Sequence, residues 1–253
     1  MKISIILPTY NEAGNIVRLI AAIQEHIPSS WEHETLVVDD NSPDGTFELV
    51  KNAYAGRSEV IPILRTSDRG LAKAIRAGIE RASGDYLLVM DTDFTHDPAE
   101  FPRMLAVAEH FDIVSGSRFC PGGRMTSRRH HIASCIYNWV IRLLILTQVQ
   151  DNLGGYWVAK KRDIARLPHD EIFYGYGDYF FRLLKLAQIE GMSILECPAH
   201  YRTRKTGTSK SNFCALLFQY TMAAWRFQRL LSRTGKMFPR VTNDEAKAPT
   251  VRT

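Results

Sequence analysis

The sequence predicts an α/β fold in which a mainly parallel sheet is flanked by helices. Short apolar runs alternate with segments of helical periodicity through the first half of the chain, a pattern typical of βαβ units. Polar or acidic residues follow three of these runs where each predicted strand ends. Ligands bind at the carboxyl ends of strands in such sheets, so we expect a binding site along that edge.

The predicted elements of the first half follow in a regular order. The strands are buried apolar runs of a few residues, at 3–10, 34–40, 60–65 and 85–93. The helices show apolar residues at helical spacing, at 15–27, 46–55 and 71–82.

The second half is less regular. We expect strands at 111–116, 155–161 and 193–199, a Gly- and Arg-rich loop at 121–131, and a basic loop at 201–211. Three helices are predicted in this half: one at 132–149, one that begins after Gly177, and one at 213–231. The last of them is amphipathic. Residues 1–232 are predicted to form a single domain, and 233–253, with few large apolar side chains, a disordered tail.

Composition limits the partners and the compartment. The formal net charge of +5 suits anionic partners without choosing among them. The four cysteines form no CxxC pair, which favours free thiols in a reducing compartment. The first apolar run is too short for a signal peptide, and no segment reaches about 18 uncharged apolar residues, so no spanning helix is predicted. The helices at 132–149 and 213–231 fit interfacial helices, core helices or a dimer surface.

The triplet Asp91-Thr92-Asp93 is the strongest chemical signal. Its two carboxylates flank one residue at a strand end, where both can converge on one hard cation such as Mg²⁺ or Mn²⁺. Such an ion would neutralise a diphosphate leaving group. The alternative is a solvated acidic turn, but Asp39-Asp40 at a second strand end favours the metal site.

Residues at the other strand ends are suited to a nucleotide. Asp40 can accept hydrogen bonds from a ribose hydroxyl or a base N–H. Tyr10 can stack on a base and Glu12 can accept a hydrogen bond, although neither is specific alone.

Four segments, PTYNE, VVDDNSPDGT, VMDTDFTHDP and SGSR, occur in this order. Together they resemble the inverting family-2 glycosyltransferases with the Rossmann-like GT-A fold, and most closely the dolichyl- or polyprenyl-phosphate mannosyltransferase group. The resemblance covers roughly residues 2–215. It implies metal-dependent transfer of a hexose, mannose favoured, from a nucleotide-sugar, GDP-mannose favoured, to a polyprenyl phosphate. It also implies peripheral association with the cytoplasmic face of a membrane.

The resemblance implies a role for each matching residue. The nucleotide would be held by Pro8, Tyr10, Glu12, Val38 and Asp40. The donor diphosphate and the metal would be faced by Asp91, Thr92 and Asp93, with Thr95 as a further metal ligand. The phosphates would be contacted by Arg118, Arg204 and Lys210. The acceptor phosphate would be bound by Arg129, His130 and Ser134.

The identity of the acceptor decides whether a general base is needed. A lipid phosphate is already anionic, and catalysis then depends on Asp93, Arg118 and Lys210. A hydroxyl acceptor requires a carboxylate within reach, for which Asp178 is the candidate; a structural acid tied to the neighbouring backbone is the equal alternative for this residue. A nucleotidyltransferase is disfavoured because no Gly-rich phosphate loop follows the first strand. Acid-lined strand ends disfavour nucleic acid, and the complete set of charged residues disfavours a non-enzymatic binder.

Overall fold

The computed structural model describes residues 1–202 and 213–235. Its strands are β1 (Lys2–Thr9), β2 (Glu32–Asp39), β3 (Val60–Leu64), β4 (Tyr86–Val89), β5 (Ile113–Ser117), β6 (Arg124–Met125), β7 (Trp157–Lys160), β8 (Ile194–Pro198) and β9 (His200–Tyr201). Seven of them form one sheet in the order β3-β2-β1-β4-β7-β5-β8, and β6 pairs with β9 beside it.

The sheet is parallel except at one strand. β1 runs parallel to β2 and β4, β2 to β3, and β5 to β8. β7 runs antiparallel to both β4 and β5. The start of β7 therefore lies at the edge where its two neighbours end, and the segment that precedes β7 reaches the carboxyl edge of the sheet.

Helices cover both faces of the sheet. They are α1 (Ile16–His26), α2 (Thr46–Ala53), α3 (Leu71–Arg81), α4 (Phe101–Val107), α5 (Arg128–Ile145), α6 (Lys161–Ile164), α7 (His169–Ile172), α8 (Tyr179–Ile189) and α9 (Phe213–Thr234). Alternation along β1 sends Ile5 and Leu7 into the core on the α1 side and Ile6 into the core on the α3 side. Both faces are thus buried, which explains the continuous apolar runs of the central strands.

The observed bounds confirm the strand and helix order predicted for the first half and correct the second. α5 begins at Arg128 because the Ser127 hydroxyl caps it, accepting the His130 N–H at 3.5 Å. It ends before Leu146, whose φ is 54°, and not at residue 149. α9 continues to Thr234, beyond the predicted helix end at residue 231. The short helices α4, α6 and α7 were not predicted, and residues 236–253 of the predicted tail lie outside the described ranges.

The amino edge of the sheet is fixed by a buried carboxylate. Glu34 accepts hydrogen bonds from the Ser4 hydroxyl and from the backbone N–H and hydroxyl of Ser83, and pairs with Lys2 at 3.0 Å. Burial by itself raises the pKa of Glu34, but these hydrogen bonds outweigh it and lower the pKa to about 2. The interaction joins β1, β2 and the turn before β4 at the edge away from the predicted site.

Helix α3 lies close against β1 because of a glycine. A Cβ at Gly78 would lie 2.5 Å from Cγ2 of Ile6 and 3.3 Å from Cγ2 of Val38. The missing side chain lets the helix approach the sheet, which sets the position of the start of α3 at the carboxyl edge.

Candidate active site

A cleft of about 740 Å³ opens at the carboxyl edge of β1, β2 and β4. It is lined by Pro8, Thr9, Tyr10, Glu12, Asp40, Arg69, Gly70, Leu71, Ala74, Asp91, Thr92, Asp93, Leu153, Gly154, Gly155, Tyr176, Gly177, Tyr179, Gln219 and Tyr220. The three predicted polar strand ends therefore share one cavity, as the parallel topology requires.

Each of these three strands is followed by a residue with left-handed backbone. The φ angles are 59° at Asn11, 56° at Asn41 and 62° at Phe94. Asparagine tolerates this region, whereas a residue such as phenylalanine adopts it at roughly 1–2 kcal/mol. The sharp turn at Phe94 directly follows the Asp91–Asp93 triplet, so backbone strain is concentrated beside the carboxylates that face the cleft.

The two carboxylates of the triplet both line the cleft. The Asp91 side chain is 46% exposed, whereas Asp93 is buried. Asp93 Oδ1 accepts the Thr95 backbone N–H at 3.0 Å and the Thr95 hydroxyl at 2.6 Å. Thr95, predicted as a metal ligand, is not part of the cleft lining; in the structure it orients Asp93.

The donor chemistry of this pair fits a hard divalent cation. Within residues 1–202 and 213–235, no group of three or more His, Cys, Asp or Glu side chains is arranged to hold a metal. Mg²⁺ usually takes one or two carboxylates and completes its shell with water and substrate phosphates. Two carboxylates beside a phosphate-sized cleft meet that requirement without a third protein ligand.

A buried histidine, His96, contacts the backbone of Asp91. Nδ1 of His96 accepts the backbone N–H of Asp91 at 2.9 Å. The ring stacks on Tyr156 with a centroid distance of 4.8 Å and meets Tyr201 edge-on at 4.7 Å. Burial lowers the pKa of His96 to about 4, although Asp93 opposes the shift, so the imidazole is neutral at neutral pH. No pattern in the sequence pointed to a role for this residue.

The carboxylate of Asp40 is held in place where β2 ends at the cleft. Oδ2 accepts the Gly70 N–H at 2.6 Å and Oδ1 pairs with Arg65. Burial raises the pKa of Asp40, with Gly70 and Arg65 opposing the shift. Arg69 lines the cleft beside it and donates to the Asp40 carbonyl at 3.3 Å. The sequence analysis did not identify Arg65, Arg69 or Gly70.

The other predicted nucleotide residues occupy different environments. Tyr10 is 44% exposed in the cleft. Glu12 lines the cleft, and its Oε2 accepts from the Asn15 amide at 2.8 Å. Pro8 also lines it, as does Thr92, whose hydroxyl donates to the Pro8 carbonyl at 3.4 Å. The Val38 side chain is fully buried in the core, so only its backbone is available for the predicted contact.

Arg118 is buried in an ion pair and does not line the cleft. Its Nε and Nη2 donate to the two carboxylate oxygens of Asp151 at 2.7 and 2.6 Å, and its backbone N–H donates to Asp151 Oδ2 at 3.0 Å. The guanidinium also lies 4.8 Å from the centroid of the Tyr201 ring. Burial acts to lower the pKa of Arg118, but Asp151 raises it above its ordinary value. In place of the predicted phosphate contact, the structure shows a bidentate pair with Asp151.

Asp178, like Arg118, is engaged by other residues of the chain. Its Oδ1 accepts the Tyr176 N–H at 2.7 Å, and Oδ2 pairs with the buried Arg182. Arg182 donates in turn to the carbonyls of Ile172 and Tyr174. This clamp fixes the loop that places Tyr176 in the cleft wall, and Asp178 itself does not line the cleft.

The remaining predicted residues do not line the cleft or are not described. Arg129 and His130 are exposed in the first turn of α5, and Ser134 lies one turn further on. Arg204 and Lys210 lie outside the described residues.

The wall formed by residues 153–155, 176–177, 179 and 219–220 was not predicted. Its glycines were the available signal: a Cβ at Gly154 would lie 2.7 Å from Tyr201 Oη, and Gly155 has a φ of 74°.

Comparison with known proteins identifies the class. Residues 4–168 match glycosyl transferase family 2. The chain belongs to this family and is a glycosyltransferase, with the GT-A fold that the sequence predicted.

Three relatives match most of the chain. The chain is 33% identical over 222 residues to an undecaprenyl-phosphate mannosyltransferase of Micrococcus luteus, covering 83% of this chain and 87% of the relative. It is 31% identical over 239 residues to a polyprenol monophosphomannose synthase of Mycolicibacterium smegmatis, covering 90% and 88%. It is 30% identical over 236 residues to a dolichol-phosphate mannosyltransferase of Pyrococcus furiosus, covering 90% of this chain and 64% of that relative's length.

A solved structure shares the fold at low identity. Glucosyl-3-phosphoglycerate synthase from Mycobacterium tuberculosis, in complex with Mn²⁺, UDP and glucosyl-3-phosphoglycerate, matches with a TM-score of 0.64 and 19% identity. The match covers 95% of this chain and 81% of that one.

Proposed function

We propose that the protein transfers mannose from GDP-mannose to a polyprenyl phosphate, with inversion and with Mg²⁺ or Mn²⁺ as cofactor. Three relatives at 30–33% identity carry names of enzymes that join mannose to a polyprenyl-type phosphate. GDP-mannose is the donor that the sequence resemblance implies.

The observation that carries the acceptor assignment is the distribution of acids in the cleft. The acidic residues that line the described part are Glu12, Asp40, Asp91 and Asp93, all at the ends of β1, β2 and β4. The lining residues from 153 onwards, which we call the uncharged wall, are Leu153, Gly154, Gly155, Tyr176, Gly177, Tyr179, Gln219 and Tyr220. Residues 203–212, which join β9 to α9, contain no Asp or Glu in their sequence.

A wall without a carboxylate suits an acceptor that needs no general base. A sugar hydroxyl must lose a proton as it attacks, whereas a phosphate oxygen is already anionic at neutral pH. The hydroxyl alternative depends on Asp178, whose carboxylate is engaged by Arg182 and the Tyr176 N–H. No observation in the described cleft favours that alternative.

The chain's own residues would position the two substrates. Tyr10 would stack on the base, with Asp40 and Arg69 beside it. Asp91 and Asp93 would hold the cation, which would supply positive charge beside the departing diphosphate. Attack by the acceptor phosphate from the uncharged wall would be in line with the bond that breaks, which inverts the anomeric carbon. Arg204 and Lys210 remain proposed phosphate ligands, and a direct role for Arg118 would require its release from Asp151.

We also propose that the protein binds peripherally to an anionic membrane. One face of α5 exposes four large apolar residues at helical spacing, Ile132, Ile136, Trp139 and Leu143, and Leu146 is exposed directly after the helix. α9 packs on α5 through the Tyr137 hydroxyl, which donates to the Leu217 carbonyl at 2.7 Å. α9 exposes Trp225 with Arg229 stacked on it at 4.6 Å. Apolar side chains beside exposed arginines are the combination that binds anionic lipid surfaces.

No helix in the described ranges has the length and apolar content that crossing a bilayer requires. The cytoplasmic face stays a prediction.

A panel of donors and acceptors tests the proposal. GDP-mannose, UDP-glucose and a UDP-N-acetylhexosamine are each incubated with polyprenyl phosphate or with a free sugar, in Mg²⁺, Mn²⁺ or a chelator, and products are identified by mass. We expect a mannosyl phospholipid that requires GDP-mannose and metal. Asp93→Ala and Lys210→Ala should each abolish it in folded protein. Transfer to the free sugar alone, or undiminished transfer in chelator, would contradict the proposal.

A further inference from the structure

We propose that His96 is a positioning residue that fixes Asp91 for binding the divalent cation. The inference rests on the proposed metal-dependent function and adds a residue to it. Thr95 already orients Asp93 through two hydrogen bonds to Oδ1. His96 would do the same for the other carboxylate of the pair, so that each has its own support.

The hydrogen bond to Asp91 defines the state of the imidazole. Nδ1 accepts the Asp91 backbone N–H at 2.9 Å and therefore carries no proton, which places the proton of the neutral ring on Nε2. Nε2 is buried beside the Gly154 backbone carbonyl, with which it makes no hydrogen bond of regular geometry. Oδ2 of Asp91 lies 3.7 Å from it. A small rotation of the Asp91 carboxylate would bring that oxygen within hydrogen-bond distance.

The ring cannot adjust to meet the carboxylate, because aromatic neighbours hold it. It stacks on Tyr156 with an interplanar angle of 10° and meets Tyr201 at 67°. Tyr201 is itself tied to the backbone, because its hydroxyl donates to the Gly116 carbonyl at 3.4 Å. His96 is thus a fixed point in the core, and the exposed Asp91 is the partner that moves.

This arrangement matches the way outer residues tune a metal site. A carboxylate ligand binds a cation well when a second residue sets its orientation in advance. Here one imidazole holds the backbone of Asp91 and presents an N–H towards its side chain. An apolar ring of the same shape would fill the space between the two tyrosines but would supply neither contact.

Three substitutions separate positioning from packing. His96→Phe keeps a ring and removes both nitrogens. His96→Asn keeps an acceptor at the Nδ1 position. Tyr156→Phe is the matched control, since it removes a polar group from the same stack without touching Asp91. For each protein, Mn²⁺ binding in the presence of GDP, and in parallel UDP, is measured by calorimetry and by the Mn²⁺ electron paramagnetic resonance spectrum, alongside the melting temperature.

We expect His96→Phe to weaken Mn²⁺ binding by about 10- to 100-fold, the range typical of lost outer-shell contacts. His96→Asn should recover most of that loss, and Tyr156→Phe should bind Mn²⁺ as the wild type does. Wild-type Mn²⁺ affinity in His96→Phe would overturn the inference. So would equal weakening in the Phe and Asn variants in step with their melting temperatures, because that result indicates packing.

A further variant and the wild-type measurement keep the outcome clear. Should His96→Phe not fold, His96→Gln takes its place, since it offers an N–H near Nε2 without an acceptor at Nδ1. If the wild type binds no Mn²⁺ with either nucleotide, the proposed metal dependence fails and the inference with it. If the wild type binds and His96→Phe binds equally well, only the role of His96 is lost.

Discussion

Replacing Asp178 by Asn distinguishes a structural acid from a general base. The carboxylate is buried and paired with the fully buried Arg182. Removing one partner of a buried ion pair destabilises a protein by about 3–5 kcal/mol. Arg182 keeps hydrogen bonds to two backbone carbonyls and lies 3.7 Å from the centroid of the Tyr174 ring. We therefore expect a loss at the lower end of that range, about 3 kcal/mol.

The expected effect on the melting temperature follows from the size of the chain. In domains of about 150–250 residues, 1 kcal/mol corresponds to a shift of about 2–4 °C. Asp178→Asn should therefore melt about 6–12 °C below the wild type. Well below that temperature, kcat with polyprenyl phosphate should stay within about five-fold of the wild type, because no proton is transferred. Loss of a general base would instead reduce kcat by about 10²- to 10⁴-fold.

Calorimetric melting and a transfer assay on the same preparations give both quantities. Asp170→Asn serves as the control, because Asp170 is an exposed acid paired with Arg76, and exposed pairs contribute about 0–1 kcal/mol. An unchanged melting temperature together with a hundred-fold or greater loss of kcat would refute the structural assignment. It would make Asp178 the base and restore the hydroxyl acceptor.

Three further predictions concern stability and membrane binding. Glu34→Gln should lower the free energy of unfolding by about 2–3 kcal/mol at pH 7. The lowering of the folded-state pKa of Glu34 from 4.5 to about 2 corresponds to about 3.4 kcal/mol, and solvent screening of the pair with the partly exposed Lys2 reduces this value. The difference from the wild type is complete above pH 4.5 and disappears as the pH falls through 2. Urea unfolding is measured across this pH range, and an equal difference at both ends of the range would contradict the prediction. Gly78→Ala should destabilise by about 1–2 kcal/mol, since overpacking exceeds the gain in helix propensity. Gly14→Ala, where a Cβ meets nothing within 4 Å, should be neutral in the same melting assay, and equal melting of the two variants would argue against tight helix–sheet packing. Trp139→Glu should reduce sedimentation with anionic phosphatidylglycerol vesicles about ten-fold or more, because the ring is 58% exposed. Ala133→Glu adds the same charge off the apolar face, and equal loss in both variants would assign the effect to charge alone.

Local patterns in the sequence predict the first half of the fold. β1 to β4 and α1 to α3 each bury residues at the spacing of a single element, and that spacing is readable from the sequence. The meeting of Asp40, Asp91 and Asp93 in one cleft followed from parallel topology alone, because parallel strands end at a common edge.

The direction of β7 and the long-range partners were not predictable in this way. An apolar run such as 155–161 carries no information about whether its strand runs parallel or antiparallel. The partner of Arg118, Asp151, is 33 residues away along the chain, and no local pattern joins the two. His96 lies in a polar segment, and it is buried only because Tyr156 and Tyr201 return to it from distant strands. The pair Asp178–Arg182 could be predicted from the sequence, because an acid and a base four residues apart are neighbours in a helical segment.

The antiparallel strand β7 determines which parts of the chain meet at the carboxyl edge of the sheet. Because β7 enters the sheet where β5 leaves it, the chain between Arg118 and Asp151 departs from and returns to a single clamped point. That excursion contains α5 with its exposed apolar face. Asp40 and Asp93 follow β2 and β4, which lie outside this excursion. The residues proposed to meet the lipid and those proposed to hold the nucleotide therefore belong to separate stretches of the chain.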